Sequence, residues 1–308
     1  MNSKQNEKNK ESLPSLPTLL ITGASGFLGQ EFIKKFHKFY KVIGIYNSST
    51  PGFQSENVTY TKMDLTDPSQ LASVSDFSFE LILHTAALTN VDKCENQVEQ
   101  AKLLNADTSG RLSKISYEKN AYFVQISTDQ LYDGSSTNSE ESDPCSPINE
   151  YGKTKLLGEE LVRANNPNSS ILRTNFYGLS PQGSSFLNWL VACIENNAPA
   201  EFYNNVFYTP ICIFDLCRVI DIFLKARFSG TYNVVGDERV SKADFAQMVV
   251  NTWNPEYSNY TLLPYSQKAG RALRPLDMSL DNQKLKRLID IKLSSISESL
   301  KEIKDQRI

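Results

Sequence analysis

Five short apolar runs recur along the first 178 residues: TLLITGA (18–24), KVIGIYN (41–47), ELILHTAAL (80–88), YFVQIST (122–128) and SILRTNFYG (170–178). Their hydrophobicity is too continuous for half-exposed strands, so each reads as a strand buried on both faces of a parallel sheet. Helical patterns fill the gaps: LGQEFIKKFHKF from 28, VEQAKLLNADTSGRLSKIS from 98, and 150–164, where Leu157, Leu161 and Ala164 fall at i, i+4 and i+7. This alternation predicts an α/β fold with a doubly wound, Rossmann-type parallel sheet.

Past Gly178 the rhythm loosens. SPQGSSFLNWLVACIENN and FDLCRVIDIFLKARF each predict a helix, GTYNVVG (230–236) a strand able to join the sheet edge, and Ser241 an N-cap for KADFAQMVVNTW. The expected division is a polar, disordered tail over 1–16, a dinucleotide-binding domain over 17–178 plus about 213–236, and a smaller substrate-binding lobe over about 179–212 plus 237–308.

Composition narrows the function. The 308 residues are 40% hydrophobic and 22% charged, and 32 Lys+Arg against 35 Asp+Glu leave a net charge of -3 with no long basic run. A nucleic-acid or anionic-membrane surface is therefore not expected, and a small-molecule ligand is. Five scattered cysteines and two histidines argue against a metal site and suit reduced thiols in a cytoplasm. The tail has no apolar segment of signal-peptide type, and no stretch reaches the length of a membrane span.

GASGFLG follows the first strand and opens a helix, with Gly23, Gly26 and Gly29 spaced as GxxGxxG. In that position glycines let backbone approach a pyrophosphate, whose charge the helix N-terminus stabilises. The second strand ends in IYNSS, so Asn47, Ser48 and Ser49 stand where a carboxylate would select NAD. The absent anion leans the cofactor toward NADP(H), with NAD(H) also accommodated. Asp64 and Leu65 follow a third short strand, where the carboxylate either meets the adenine amine or caps a helix.

The fifth strand ends in Ser127, Thr128 and Asp129, at the edge where open α/β sheets bind ligands. Some 23 residues later come Tyr151 and Lys155, one helical turn apart. An ammonium beside a phenol, helped by a positive nicotinamide, would bring the tyrosine into range for proton transfer, and Thr128 would hydrogen-bond the reacting oxygen. Alone, Tyr-x-x-x-Lys is an ordinary helix surface. Glycine loop, strand-end threonine, then Tyr and Lys, in that order, point to an active site.

Together TGASGFLG, TAALTNVDKCE, STDQLYDG, SPINEYGKTKLLGE, LRTNFYG and RPLDMSLD make the chain resemble an extended short-chain dehydrogenase/reductase, and more narrowly the dTDP-4-dehydrorhamnose reductase family. The resemblance covers nearly everything from 18 to 290. It implies a catalytic trio of Thr128, Tyr151 and Lys155. Cofactor contacts would fall on Gly26, Phe27 and Leu28 at the phosphates, on Ala86, Ala87 and Leu88 beside the ribose, and on Ile126 near the nicotinamide. Asp129 and Phe176 match sugar contacts, Phe176 having strand packing as its equal alternative. Val91, Asp92 and Arg274 match the pocket or its rim, with a structural ion pair as the alternative for the two charges.

Three departures concern the sugar: Gln130 with Leu131 and Tyr132 after STD, Phe176 where Trp is frequent, and Met278 in place of a small hydroxyl residue. The implied activity is NADPH-dependent reduction of a nucleotide-diphospho-4-keto-6-deoxy sugar for surface glycans. Nucleotide-sugar epimerase or dehydratase chemistry is the enzymatic alternative; TDQ lacks the Asp-Glu pair that dehydratases usually place after the threonine. A non-catalytic, nucleotide-binding subunit similar to the methionine adenosyltransferase beta subunit is the alternative of another class. A homodimer is compatible with each.

Overall fold

The computed structural model describes residues 16–307. The tail expected over 1–16 lies outside them except for Leu16. A seven-stranded, wholly parallel sheet runs through the molecule, built from β1 (Thr18–Thr22), β2 (Lys41–Tyr46), β3 (Val58–Lys62), β4 (Leu81–His84), β5 (Tyr122–Thr128), β6 (Ser169–Thr174) and the strand Gly230–Asn233. Their spatial order is Gly230–Asn233, β6, β5, β4, β1, β2, β3. Winding reverses between β1 and β4, which opens a crevice at the carboxyl ends of those strands.

The apolar runs form strands because helices cover both faces of the sheet. Every residue of β4, β5 and β6 is buried. Helix α1 (Phe27–Phe36) and the helix Ile213–Ala226 pack on one face, and the helices Thr108–Glu118 and Glu150–Asn165 on the other. As expected, Gly230–Asn233 joins the sheet edge beside β6, and Ser241 caps its helix, in a full capping box with Asp244.

Three predicted elements differ in extent. The run 80–88 is a strand only to His84, and residues 85–88 turn away to line the crevice. The run 170–178 breaks at Asn175, which turns its side-chain amide to Asp129 while its carbonyl receives Ile211 N–H at 2.9 Å. The long helix from 98 is interrupted by a π-turn at Leu103–Asp107. The helix Val91–Asn96, within the segment quoted as a pocket lining, was not anticipated as a helix.

The outer lobe consists of short pairs and helices. Ala200–Tyr203 pairs with Tyr260–Leu263, and Phe207–Tyr208 with Val240–Ser241. The helices Phe186–Glu195, Lys242–Trp253 and Ile296–Asp305 surround them. Tyr177 meets Phe245 edge-on at 5.0 Å, so the lobe's core is continuous with that of the sheet.

Candidate active site

The glycine turn shapes the first wall of the crevice. Gly23 has φ +70°, and a Cβ there would lie 2.9 Å from Ala86 N, so only glycine fits comfortably. Gly29 supports the turn from below, since a Cβ on it would reach 2.4 Å from the Gly23 carbonyl. Gly26 is the N-cap of α1 and offers no capping side chain, so the first amides of the helix keep their hydrogen-bonding capacity at the crevice. That arrangement fits a pyrophosphate.

Opposite it, residues 85–88 are pinned by a buried histidine. Ser109 Oγ donates to the Asn105 carbonyl at 2.8 Å, so it accepts from His84 Nε2–H at 3.0 Å; Nδ1 then accepts from Thr22 Oγ1 at 2.7 Å. Thr22 Oγ1 in turn accepts the Ala86 N–H at 3.3 Å. Burial, reinforced by the Lys155 charge, pushes the His84 pKa down to about 3. The imidazole is a neutral strut. Asn105, in the π-turn, accepts Leu88 N–H at 2.8 Å and donates to Leu88 O and to Thr154 Oγ1, tying this loop to the helix Glu150–Asn165.

That helix carries Tyr151 and Lys155. Asn149 caps it by accepting Gly152 N–H at 2.8 Å. Its glycines permit close packing: a Cβ on Gly152 would stand 2.2 Å from the Gln130 carbonyl, and one on Gly158 2.4 Å from the Asn105 carbonyl. Tyr151 is buried in a small apolar cluster with Val91, Cys94, Ala101 and Ala272. Burial holds its phenol above the ordinary range, the Thr128 hydroxyl pulls the other way, and Asp129 and Cys94 add to the rise.

Lys155 lies one turn further along the same helix. Its ammonium donates to the Ile126 carbonyl at 2.7 Å, and burial brings its pKa down to about 8 against the pull of Glu159. Glu159 is buried, and burial pushes its carboxyl up. Hydrogen bonds and charge from Arg173, with the Ser127 hydroxyl at 2.6 Å, overcome this and hold it below its usual range.

The expected cofactor residues Gly23, Gly26, Phe27, Leu28, Asn47, Asp64, Leu65, Ala86, Ala87, Leu88 and Ile126 all line one cleft of about 850 Å³, and Thr128, Asp129, Tyr151 and Lys155 close its inner end. Asp64 caps no helix. Its carboxylate accepts Thr66 N–H at 2.9 Å within a turn, and Asp67 is the N-cap of the helix Pro68–Ala72. Phe176 lies in this same cleft, 5.7 Å from the ring of Phe27, rather than in the adjoining cavity.

A second cavity of about 880 Å³ continues from the first beneath the lobe, and Gln130 and Asn175 line both. Arg274 and Met278 line it, with aromatic residues such as Phe186, Trp189 and Tyr265. Arg274 and Arg271 also bind Asp92, at 3.1 and 2.7 Å, and Asp92 accepts Ala272 N–H at 3.0 Å. The rim position and the ion pair therefore coexist. Gln130 Oε1 accepts from Asn149, whose amide also donates to Leu273 O at 2.9 Å.

Asn105, Asn149, Asn175 and Lys242 were not singled out from the sequence. Asn149 had a signal, an N-cap residue just before the helix. Asn105 and Asn175 are polar residues inside helix and strand patterns, and Lys242 follows an N-cap as the first residue of a helix. Among the described residues no cluster of His, Cys, Asp and Glu could hold a metal, all five cysteines are free, and no helix is long and apolar enough to cross a membrane.

The family description "RmlD substrate binding domain" matches residues 17–307. The chain belongs to that family. It is 30% identical over 236 residues to the Haloferax volcanii protein described as "Probable low-salt glycan biosynthesis reductase Agl14", covering 74% of this chain and 78% of that one. It is also 30% identical over 280 residues to methionine adenosyltransferase 2 subunit beta of Rattus norvegicus, covering 88% and 82%. A dTDP-4-dehydrorhamnose reductase of Clostridium acetobutylicum superposes with a TM-score of 0.82 at 30% identity, over 94% of this chain and 99% of that one. RmlD-like relatives thus include both reductases and a subunit of another enzyme, and the family places this chain among the extended short-chain dehydrogenases/reductases.

Proposed function

We propose that the protein is an NADPH-dependent reductase of a nucleotide-diphospho-4-keto-6-deoxy sugar. The observation that carries this reading is that Thr128, Tyr151 and Lys155 line one dinucleotide-sized cleft, which shares Gln130 and Asn175 with a second cavity. Residues 17–178 plus about 213–236 serve the dinucleotide, and the rest of the lobe covers the sugar nucleotide.

The amides at Gly26, Phe27 and Leu28 would hold the pyrophosphate, Asn47 with Ser48 the 2'-phosphate, Asp64 and Leu65 the adenine, Ala86 to Leu88 the ribose, and Ile126 the nicotinamide side. Once bound, the dinucleotide supplies a hydride to the keto carbon. The protein's part is to handle the oxygen. Tyr151 Oη gives its proton to the forming alkoxide, and Thr128 hydrogen-bonds that oxygen. Burial keeps the phenol protonated, the form from which Tyr151 would donate. Lys155 has three N–H donors and spends one on Ile126, leaving two for the ribose and for the phenolate once the proton has gone.

Incubation of the purified chain with NADPH and dTDP-, UDP- or GDP-linked 4-keto-6-deoxyhexoses should consume NADPH and yield the 4-hydroxy sugar. Likeness to the adenosyltransferase beta subunit across 88% of the chain supports a second reading, a non-catalytic regulatory subunit. Tight NADPH binding with no consumption across the panel would favour it and overturn the first.

A further inference from the structure

Lys242 is the first residue of the helix Lys242–Trp253, where the positive end of the helix dipole disfavours a cation. Its ammonium nevertheless turns inward, 3.3 Å from the centre of the Tyr208 ring and 5.2 Å from that of Phe186, in the wall of the second cavity. Among the described residues it makes neither an ion pair nor a hydrogen bond through that ammonium. The aromatic faces compensate part of its desolvation but accept none of its three hydrogen bonds in the ordinary sense.

Across the junction is Asp129, buried beside Thr128. One of its oxygens accepts from Thr128 Oγ1 at 3.2 Å and the other from Asn175 Nδ2, and Asn175 lines both cavities. The two charges act on one another without forming an ion pair: burial pushes the carboxyl up to about 6 and the ammonium down to about 8, each opposed by the other. Nearby, the hydroxyls of Thr174 and Tyr208 are buried and have no hydrogen-bond partner, and Thr174 lines the cleft. Asp129 lines the first cleft and Lys242 the second, and Asn175, which binds Asp129, lines both; a donor without an acceptor and a carboxylate with spare lone pairs, one on each side of that shared residue, match a hydroxyl, which accepts from one and donates to the other.

We propose that Lys242, with Asp129, grips the sugar hydroxyl on the carbon next to the reacting carbonyl, making Lys242 a specificity-determining residue. This rests on the reductase reading above. With the keto oxygen held at Tyr151 and Thr128, the carboxylate of Asp129, which accepts from Thr128 Oγ1, would lie beside the reacting carbonyl. In a 4-keto-6-deoxyhexopyranose C5 carries a methyl group and the ring oxygen, so the vicinal hydroxyl is the one on C3.

The test uses the nucleotide-linked 4-keto-6-deoxyhexose that the wild type reduces and its 3-deoxy counterpart. Wild-type kcat/KM should favour the hydroxylated sugar by about 10- to 100-fold, the scale of a hydrogen bond to a charged group. In Lys242→Met, and in Lys242→Gln should the first variant not fold, that preference should shrink by about tenfold or more, with NADPH affinity as the check on folding. A wild type indifferent to the C3 hydroxyl, or variants that keep the wild-type ratio, would overturn the proposal while leaving the reductase reading intact. If the wild type reduces no keto sugar, the reductase reading fails and this inference with it.

Discussion

The wall of the cleft proposed to face the dinucleotide and the wall proposed to face the sugar are assembled in different ways. The first is mainly backbone from contiguous segments, the Gly23–Leu28 turn and residues 85–88, and its glycines leave no room for change. The second is made of side chains from distant stretches: Asp92, Gln130, Asn175, Lys242, Arg274 and Met278. A backbone surface can recognise only what all members of a chemical class share, a pyrophosphate here. A side-chain surface can be altered one residue at a time, so substitutions that change substrate preference are expected on the second wall. Tyr151 lines the first cleft, and its ring packs with Ala272 and Val91, from the segments that bear Arg271 and Asp92 of the second cavity.

Substitutions can separate the two walls. The largest effect is expected at their junction: Tyr151→Phe keeps the ring in its apolar cluster and removes the proton donor. Turnover should fall by roughly 10²-fold or more, with NADPH affinity retained, as read by steady-state kinetics alongside calorimetry. Gly23→Ala should act on the dinucleotide wall alone. A side chain at φ +70°, pressed against Ala86, costs about 1–3 kcal/mol of strain and should weaken NADPH binding by about tenfold or more. Loss of sugar affinity instead would contradict the division.

Asp92→Asn should do the reverse. It weakens the clamp from Arg271 and Arg274, partly exposed ion pairs worth at most about 1 kcal/mol each, so the KM for sugar should rise by about three- to tenfold while the NADPH dissociation constant stays put. The last effect lies beneath the dinucleotide wall and is invisible at neutral pH. His84 titrates at about 3 when folded against an ordinary 6.5, so the unfolded chain takes up a proton that the folded one refuses. Its contribution to stability is therefore full above pH 6.5 and is lost as the pH falls toward 3. Denaturant unfolding at several pH values should show this slope in the wild type, and in His84→Asn the slope should be shallower, the remainder coming from carboxylates such as Glu159 that are held below their usual range.

Much of the first wall was readable in the sequence because its signals are local. GASGFLG sits between a strand and a helix, and STDQ ends a strand, so neighbours in the chain are neighbours in the site. YGKTKLLGE was legible for the same reason, although the purpose of its glycines, close packing on Gln130 and on the π-turn at Asn105, appears only in three dimensions. The second wall was less legible. Lys242 follows an obvious N-cap and looked like ordinary helix surface, and Asn175 sat inside a run that reads as one unbroken strand. The Ile126 carbonyl that accepts from Lys155 was also illegible, because it lies on β5, 29 residues away in the chain.

The most direct measurement of the central claim follows the hydride itself. NADPH deuterated at nicotinamide C4 is incubated with a nucleotide-linked 4-keto-6-deoxyhexose and the wild-type chain, and the product is examined by NMR and mass spectrometry. Deuterium at sugar C4, in a single configuration and at a rate that collapses in Tyr151→Phe, is the predicted result. Saturable NADPH binding with no deuterium in any sugar of the dTDP, UDP and GDP series would contradict the account and make this chain a binding subunit.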